Sequence, residues 1–155
     1  MMGTRSLTVF YNNYWPQQDE TEVAVMYKQY DGYPSGLGDD LVDLLRGVRI
    51  VNGIGGDVSN IANGMPCLAA QVVSHFKCGG DPSDLFSKGI AGGSYLYPAG
   101  TRDCGEEYIY EIRCAPQVGS ERDRAIHLTV KTTYGTDDVL YEGLLDEFES
   151  TLLEE

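Results

Sequence analysis

Tyr108-Ile109-Tyr110-Glu111-Ile112-Arg113-Cys114 alternates strictly, with Tyr108, Tyr110, Ile112 and Cys114 in one phase and Ile109, Glu111 and Arg113 in the other. A period of two places the phases on opposite faces of a β-strand. Ile126, Leu128 and Val130 alternate in the same way with His127, Thr129 and Lys131. The two runs read as antiparallel neighbours with one face toward water. Leu7 to Tyr11 and Val23 to Tyr30 are β-rich runs across the polar loop Asn12 to Asp19, which suggests a hairpin. Trp15 in that loop is assigned to packing against the core edge. Tyr95 to Tyr97 adds a short strand.

Helical spacing occupies the intervening chain. Leu37, Leu41, Leu44 and Leu45 form a stripe, Asp39 and Asp40 suit the positive end of the helix dipole, and Gly47 is a stop signal. Pro66 fits the first position of a second helix running to about Lys77, with Leu68, Val72 and Phe76 on its apolar face and Cys78-Gly79-Gly80 ending it. Leu144, Leu145, Phe148 and Leu152 predict a third, acidic helix at about 143–154. Between Val48 and Asn63 only a short strand or irregular loop is expected. The order predicts an α+β fold: a mostly antiparallel sheet of about five strands with two or three helices packed on one side.

At 155 residues the chain reads as one globular domain, 1–155. With 42% hydrophobic and 23% charged residues its composition is that of a globular protein. The first residues lack the apolar core of a signal peptide and no apolar run approaches a bilayer span, so a cytoplasmic protein without membrane association is expected. Cys67, Cys78, Cys104 and Cys114 are therefore expected as free thiols, and no pair of them has zinc-ligand spacing. Neither a metal nor any other cofactor is expected.

Net charge is −13, and residues 137–155 hold eight of the 24 acids and none of the 11 bases. The bases are scattered singly, which disfavours direct nucleic-acid binding. A solvated face accounts for the acidic end.

Tyr30-Asp31-Gly32-Tyr33-Pro34-Ser35-Gly36-Leu37-Gly38 joins a strand to a helix through a special backbone path. It lacks both the Walker and the dinucleotide patterns, and Asp39 and Asp40 would repel phosphate. Thr4-Arg5-Ser6, this glycine turn, Cys67-Leu68-Ala69-Ala70-Gln71, and Tyr95-Leu96-Tyr97-Pro98 leading to Arg102-Asp103-Cys104-Gly105-Glu106-Glu107-Tyr108 together resemble a group of small bacterial and phage proteins without an assigned activity. The resemblance runs to about residue 112 and implies a cytoplasmic or phage-encoded domain.

Cys67, at the start of the second helix, and Cys104 are the candidate nucleophiles. Neither has an evident base, since His75 lies about 12 Å along the same helix from Cys67. Asp31, Asp103, Glu106 and Glu107 could converge for acid–base work, or Arg102 could pair with Asp103 to fasten the loop. Eleven tyrosines, several beside turns, suit recognition. The reading is a non-enzymatic binding or regulatory module whose ligand residues are Tyr30, Asp31, Tyr33, Gln71, Tyr95, Tyr97, Arg102, Asp103, Glu106 and Glu107. Its expected partner is a protein or a small polar ligand. The alternatives are a small enzyme using a cysteine or carboxylate site, and an acidic inhibitor that mimics nucleic acid.

Overall fold

A computed structural model describes residues 3–13, 19–53, 59–87, 92–115, 124–133 and 138–153. Trp15, and the centre of the loop that carries it, lie outside the described residues. So do Gly55 and Gly56.

Among the described residues eight strands and two α-helices form, in the order β1 (Ser6–Asn12), β2 (Thr21–Lys28), α1 (Asp39–Leu45), β3 (Arg49–Val51), β4 (Ile61–Asn63), α2 (Gly64–Cys78), β5 (Ser94–Pro98), β6 (Tyr108–Cys114), β7 (Ile126–Thr132) and β8 (Asp138–Leu144). Six strands make one sheet, ordered β5-β2-β1-β6-β7-β8, while β3 and β4 pair separately in parallel. The fold is α+β, and the expected hairpin and the antiparallel pairing of the two alternating runs both form. Sequence alternation cannot specify partners, and β1 pairs β6 in parallel, with Ser6 opposite Tyr108 and Phe10 opposite Ile112.

That parallel pair dictates an unusual connection. β5 and β6 run the same way, with β2 and β1 between them. Residues 99–107 must therefore cross two strands, roughly 14 Å sideways, which leaves no room for a helix. The crossover covers the sheet face opposite the helices. Leu7, Val9, Val25, Tyr27 and Ile109 form a second, smaller core there, with Cys104 of the crossover packed on it. The outer face of β6 and β7 was expected to be wet; Glu111 and Thr129 are instead buried on it, as are Leu7, Val9 and Val25 on β1 and β2.

The main core lies on the other face, where α1 and α2 bring Leu41, Leu45, Leu68 and Val72 against Phe10, Met26, Tyr110, Ile112 and Leu128. Helix α2 starts two residues before Pro66, so this proline occupies the third helical position, where its missing N–H is still harmless. Gly79 caps the helix in the left-handed region, φ 62°.

The expected C-terminal helix does not form. Residues Asp138–Leu144 are the edge strand β8, followed by short 3-10 turns at Leu145–Glu147 and Ser150–Leu153. Leu145 and Phe148 are buried as the helical pattern demands, but they reach the core from the turn, with Phe148 packed edge-on to Tyr141 at 5.1 Å. A spacing of three residues satisfies both geometries.

The glycine turn docks on this core. Gly32 N–H donates to the Thr4 carbonyl, and the buried Tyr110 hydroxyl donates to the Gly32 carbonyl at 2.7 Å. Replacing Tyr110 by Phe leaves that carbonyl without its partner, and urea unfolding should show a loss of about 1–2 kcal/mol with an unchanged m-value.

Candidate functional site

The residues singled out by sequence divide into three places. Tyr30, Asp31 and Tyr33 sit at the end of β2, on the turn that leads to α1. Asp31 has φ 58°, its carbonyl accepts from Leu37 N–H, and its carboxylate accepts from the Tyr33 hydroxyl at 3.3 Å. That carboxylate raises the pKa of the exposed Tyr33 phenol. The turn is closed on itself: a Cβ on Gly36 would lie 2.4 Å from the Asp31 carbonyl oxygen.

The second place is the crossover. Arg102 does not pair with Asp103, as the sequence suggested; it forms a two-pronged contact with Glu22 of β2, at 2.8 and 3.1 Å, and reaches the Tyr11 hydroxyl at 3.4 Å. The nearer partner wins because the crossover lies directly over β2. The same Glu22 carboxylate accepts from Gly100 N–H. Asp103 has φ 61°, and the Glu106 carboxylate accepts from the Asp103 and Cys104 N–H groups at 3.2 and 2.7 Å. Glu107 N–H donates to the Arg5 carbonyl. Arg102 and Glu106 thus hold the crossover in place, and both are occupied by the chain itself.

The third place is β5. Tyr95 and Tyr97 flank the ring of Tyr27, each with its centroid 6.0 Å away. Lys77 of α2 lies over Tyr95 at 5.1 Å and donates to the Ser94 carbonyl.

These places share an end of the sheet only in part. The glycine turn packs on the helix side, with Leu37 in the main core, whereas Cys104 packs on the outer core. Residues 3–5 run between them, Thr4 bonded to Gly32 and Arg5 to Glu107. The Arg5 guanidinium lies against Gly105, where a Cβ would approach to 2.9 Å. Gln71 is elsewhere, on the exposed flank of α2, donating to the Ile61 carbonyl at 3.3 Å.

Neither candidate cysteine has a base within hydrogen-bond reach among the described residues. Cys67 is half-buried against the main core. Burial, together with Glu106 and Asp103, pushes the Cys104 thiol above its ordinary pKa, the opposite of an activated nucleophile. No group of three or more metal-ligating side chains occurs among the described residues. No described helix is long and apolar enough to cross a membrane.

Two arrangements were not anticipated. On the outer face, Glu111 is only 8% exposed and accepts from Lys131 at 3.0 Å, Arg113 at 3.4 Å and Tyr11 at 3.4 Å. Arg113 also pairs with Glu20 at 2.8 Å and stacks over the Tyr11 ring. His127 beside it is held below its usual pKa, first by burial and then by Arg113. On the helix side, a cleft of about 640 Å³ opens between the end of β2, α1 and the last turn of α2, with Lys28, Asp40, Asp43, Leu44 and Phe76 in its wall. A signal for the cleft existed: Lys28 shares the inward phase of β2 with Met26, so a charge falls where the pattern calls for an apolar residue.

Comparison with protein-family models, curated proteins and solved structures returns no match.

Two measurements check this geometry. Hydrogen bonding to Arg102 holds the Glu22 pKa below its ordinary value. The stabilisation is therefore complete above the unfolded pKa and is lost as pH falls through the folded one. Glu22→Gln should cost about 1 kcal/mol at neutral pH, with the difference from wild type closing in acid. Alkylation of Cys104 should be slow at neutral pH and still accelerate above about pH 9; rapid labelling at neutral pH would restore a cysteine enzyme.

Proposed function

We propose that the chain is a non-enzymatic protein-recognition module, of the bacterial or phage origin its resemblance implies, that takes up an extended peptide along the outer edge of β5. The observation that carries this reading is a contrast between the two edges of the sheet. Tyr95, Leu96 and Tyr97 are 44%, 63% and 39% exposed on a strand without a single charge, and no described strand pairs with its outer edge. The opposite edge, β8, also exposes Val139 and Leu140 but carries Asp138 and Glu142. Charged side chains on an edge discourage pairing with another chain, and β5 lacks them.

Adding a strand to β5 supplies main-chain hydrogen bonds for affinity, and alternate side chains of the peptide supply selectivity. Tyr95 and Tyr97 lie in one phase, braced by Tyr27, and Leu96 lies in the other. Tyrosines already held by stacking lose little freedom on binding. Tyr30 extends the strip, since its ring lies against Gly93, immediately before β5. Pro98 ends the strand and limits the length of peptide that can pair. Asp103, Glu106 and Gln71 drop out of this surface, the first two lying in a loop closed by internal hydrogen bonds and the third on α2.

A displayed library of random eight-residue peptides, selected on the full chain, tests the reading. Selected peptides should bind the Leu96→Lys variant at least tenfold more weakly and the Val139→Lys variant as well as wild type. Failure to enrich any peptide, or equal binding by Leu96→Lys with its circular dichroism unchanged, would refute edge pairing.

A further inference from the structure

Lys28 lacks the carboxylate partner that four other bases have. Arg49, Arg102, Arg113 and Lys131 each pair with a carboxylate. The Lys28 ammonium has no ion pair among the described residues, although the chain carries 24 acids. Its stem passes Phe76, with Nζ 5.7 Å from the ring centroid, and its one hydrogen bond among the described residues is a long one, 3.5 Å, to the Gly92 carbonyl. Burial draws its pKa down, against the pull of Asp31 and Asp40.

Asp40 and Asp43 are the counterpart. They stand one turn apart on α1, in the wall of the same cleft, and neither has a hydrogen bond or ion pair among the described residues. Burial raises the Asp40 pKa, Lys28 lowers it, and Asp43 raises it further. Lys28 and Asp40 therefore interact through the cleft without contact. The Lys28 ammonium is half-buried with one long hydrogen bond, and the two carboxylates, exposed on α1, stand unpaired in the same wall.

We infer that the cleft binds a small zwitterion of the α-amino acid class, its carboxylate on Lys28, its ammonium on Asp40 and Asp43, and its side chain against Leu44 and Phe76. A plain anion would face two unpaired aspartates, and a plain cation would face a half-buried ammonium. Only a ligand carrying both charges satisfies both walls. Lys77, the other ammonium in the lining, is held by the Ser94 carbonyl and the Tyr95 ring. The cleft lies on the helix side and shares Lys77 with the β5 edge.

Amide NMR titration of the full chain with each of the twenty standard amino acids tests the assignment. At least one apolar amino acid should give saturable shifts centred on Lys28, Asp40 and Phe76. Its N-acetyl derivative, which lacks the ammonium, and its amide, which lacks the carboxylate, should each bind at least tenfold more weakly. Lys28→Met and, separately, the exposed Asp43→Asn should weaken binding by at least threefold. The second variant keeps the test valid if the first fails to fold. Absence of saturable shifts with all twenty, equal binding of either derivative, or unchanged binding by folded variants would overturn the inference.

Discussion

The parallel pairing of β1 with β6 is the constraint from which the other features follow. It places β1 at the centre of the sheet, with every residue from Ser6 to Phe10 buried. It also obliges the chain to travel from β5 to β6 across β2 and β1 on the face that the helices do not cover. A sheet of this kind could have exposed that face, as antiparallel sheets commonly do. Here the crossover seals it, and the apolar phase Leu7, Val9, Val25 and Ile109 becomes a second core. Fully burying a side chain of this size contributes roughly 1.5–3 kcal/mol relative to exposure, so the crossover is a structural layer of the fold.

Its polar groups follow from that position. A nine-residue connection without regular structure must satisfy its own N–H groups or lose free energy for each one buried. Glu106 accepts two of them and Glu22 a third, while Arg102 ties the connection to β2. The Glu106 carboxylate therefore has a structural duty. On the outer face of β6 and β7 the same economy holds, where Glu111 collects three donors under near-complete burial. Lys28, Asp40 and Asp43, in the wall of one cleft, form no ion pair among the described residues. Strand β5, which has no charged residue of its own, exposes apolar groups in a strongly acidic molecule.

Much of the local structure was legible in the sequence, because alternation in Tyr108 to Cys114 and in Ile126 to Lys131 reports the face of each residue directly. The stripe from Leu37 to Leu45 reports α1 equally well. Strand partners were not legible, since a period of two is the same in parallel and antiparallel pairs, and neither β5 beside β2 nor β6 beside β1 follows from it. The C-terminal helix failed because Leu145 and Phe148 are three residues apart, a spacing shared by helices and 3-10 turns. For the site, Tyr95 and Tyr97 were identifiable from their place beside a turn. The Lys28 cleft needed the third dimension, because its walls come from β2, α1 and α2. Arg102 pairs with Glu22, a neighbour in space, and not with Asp103, its neighbour in sequence.

The sheet is sealed on both faces in its middle and open along its β5 edge. Native-state hydrogen exchange tests it most directly, because it reads each backbone amide separately. Amides of Leu7 to Phe10 and of Ile109 to Ile112 should exchange only through global unfolding, and those of Tyr95 to Tyr97 about a hundredfold faster or more, through local opening of β5. Exchange in β5 as slow as in β1, or local opening of β1 itself, would contradict it.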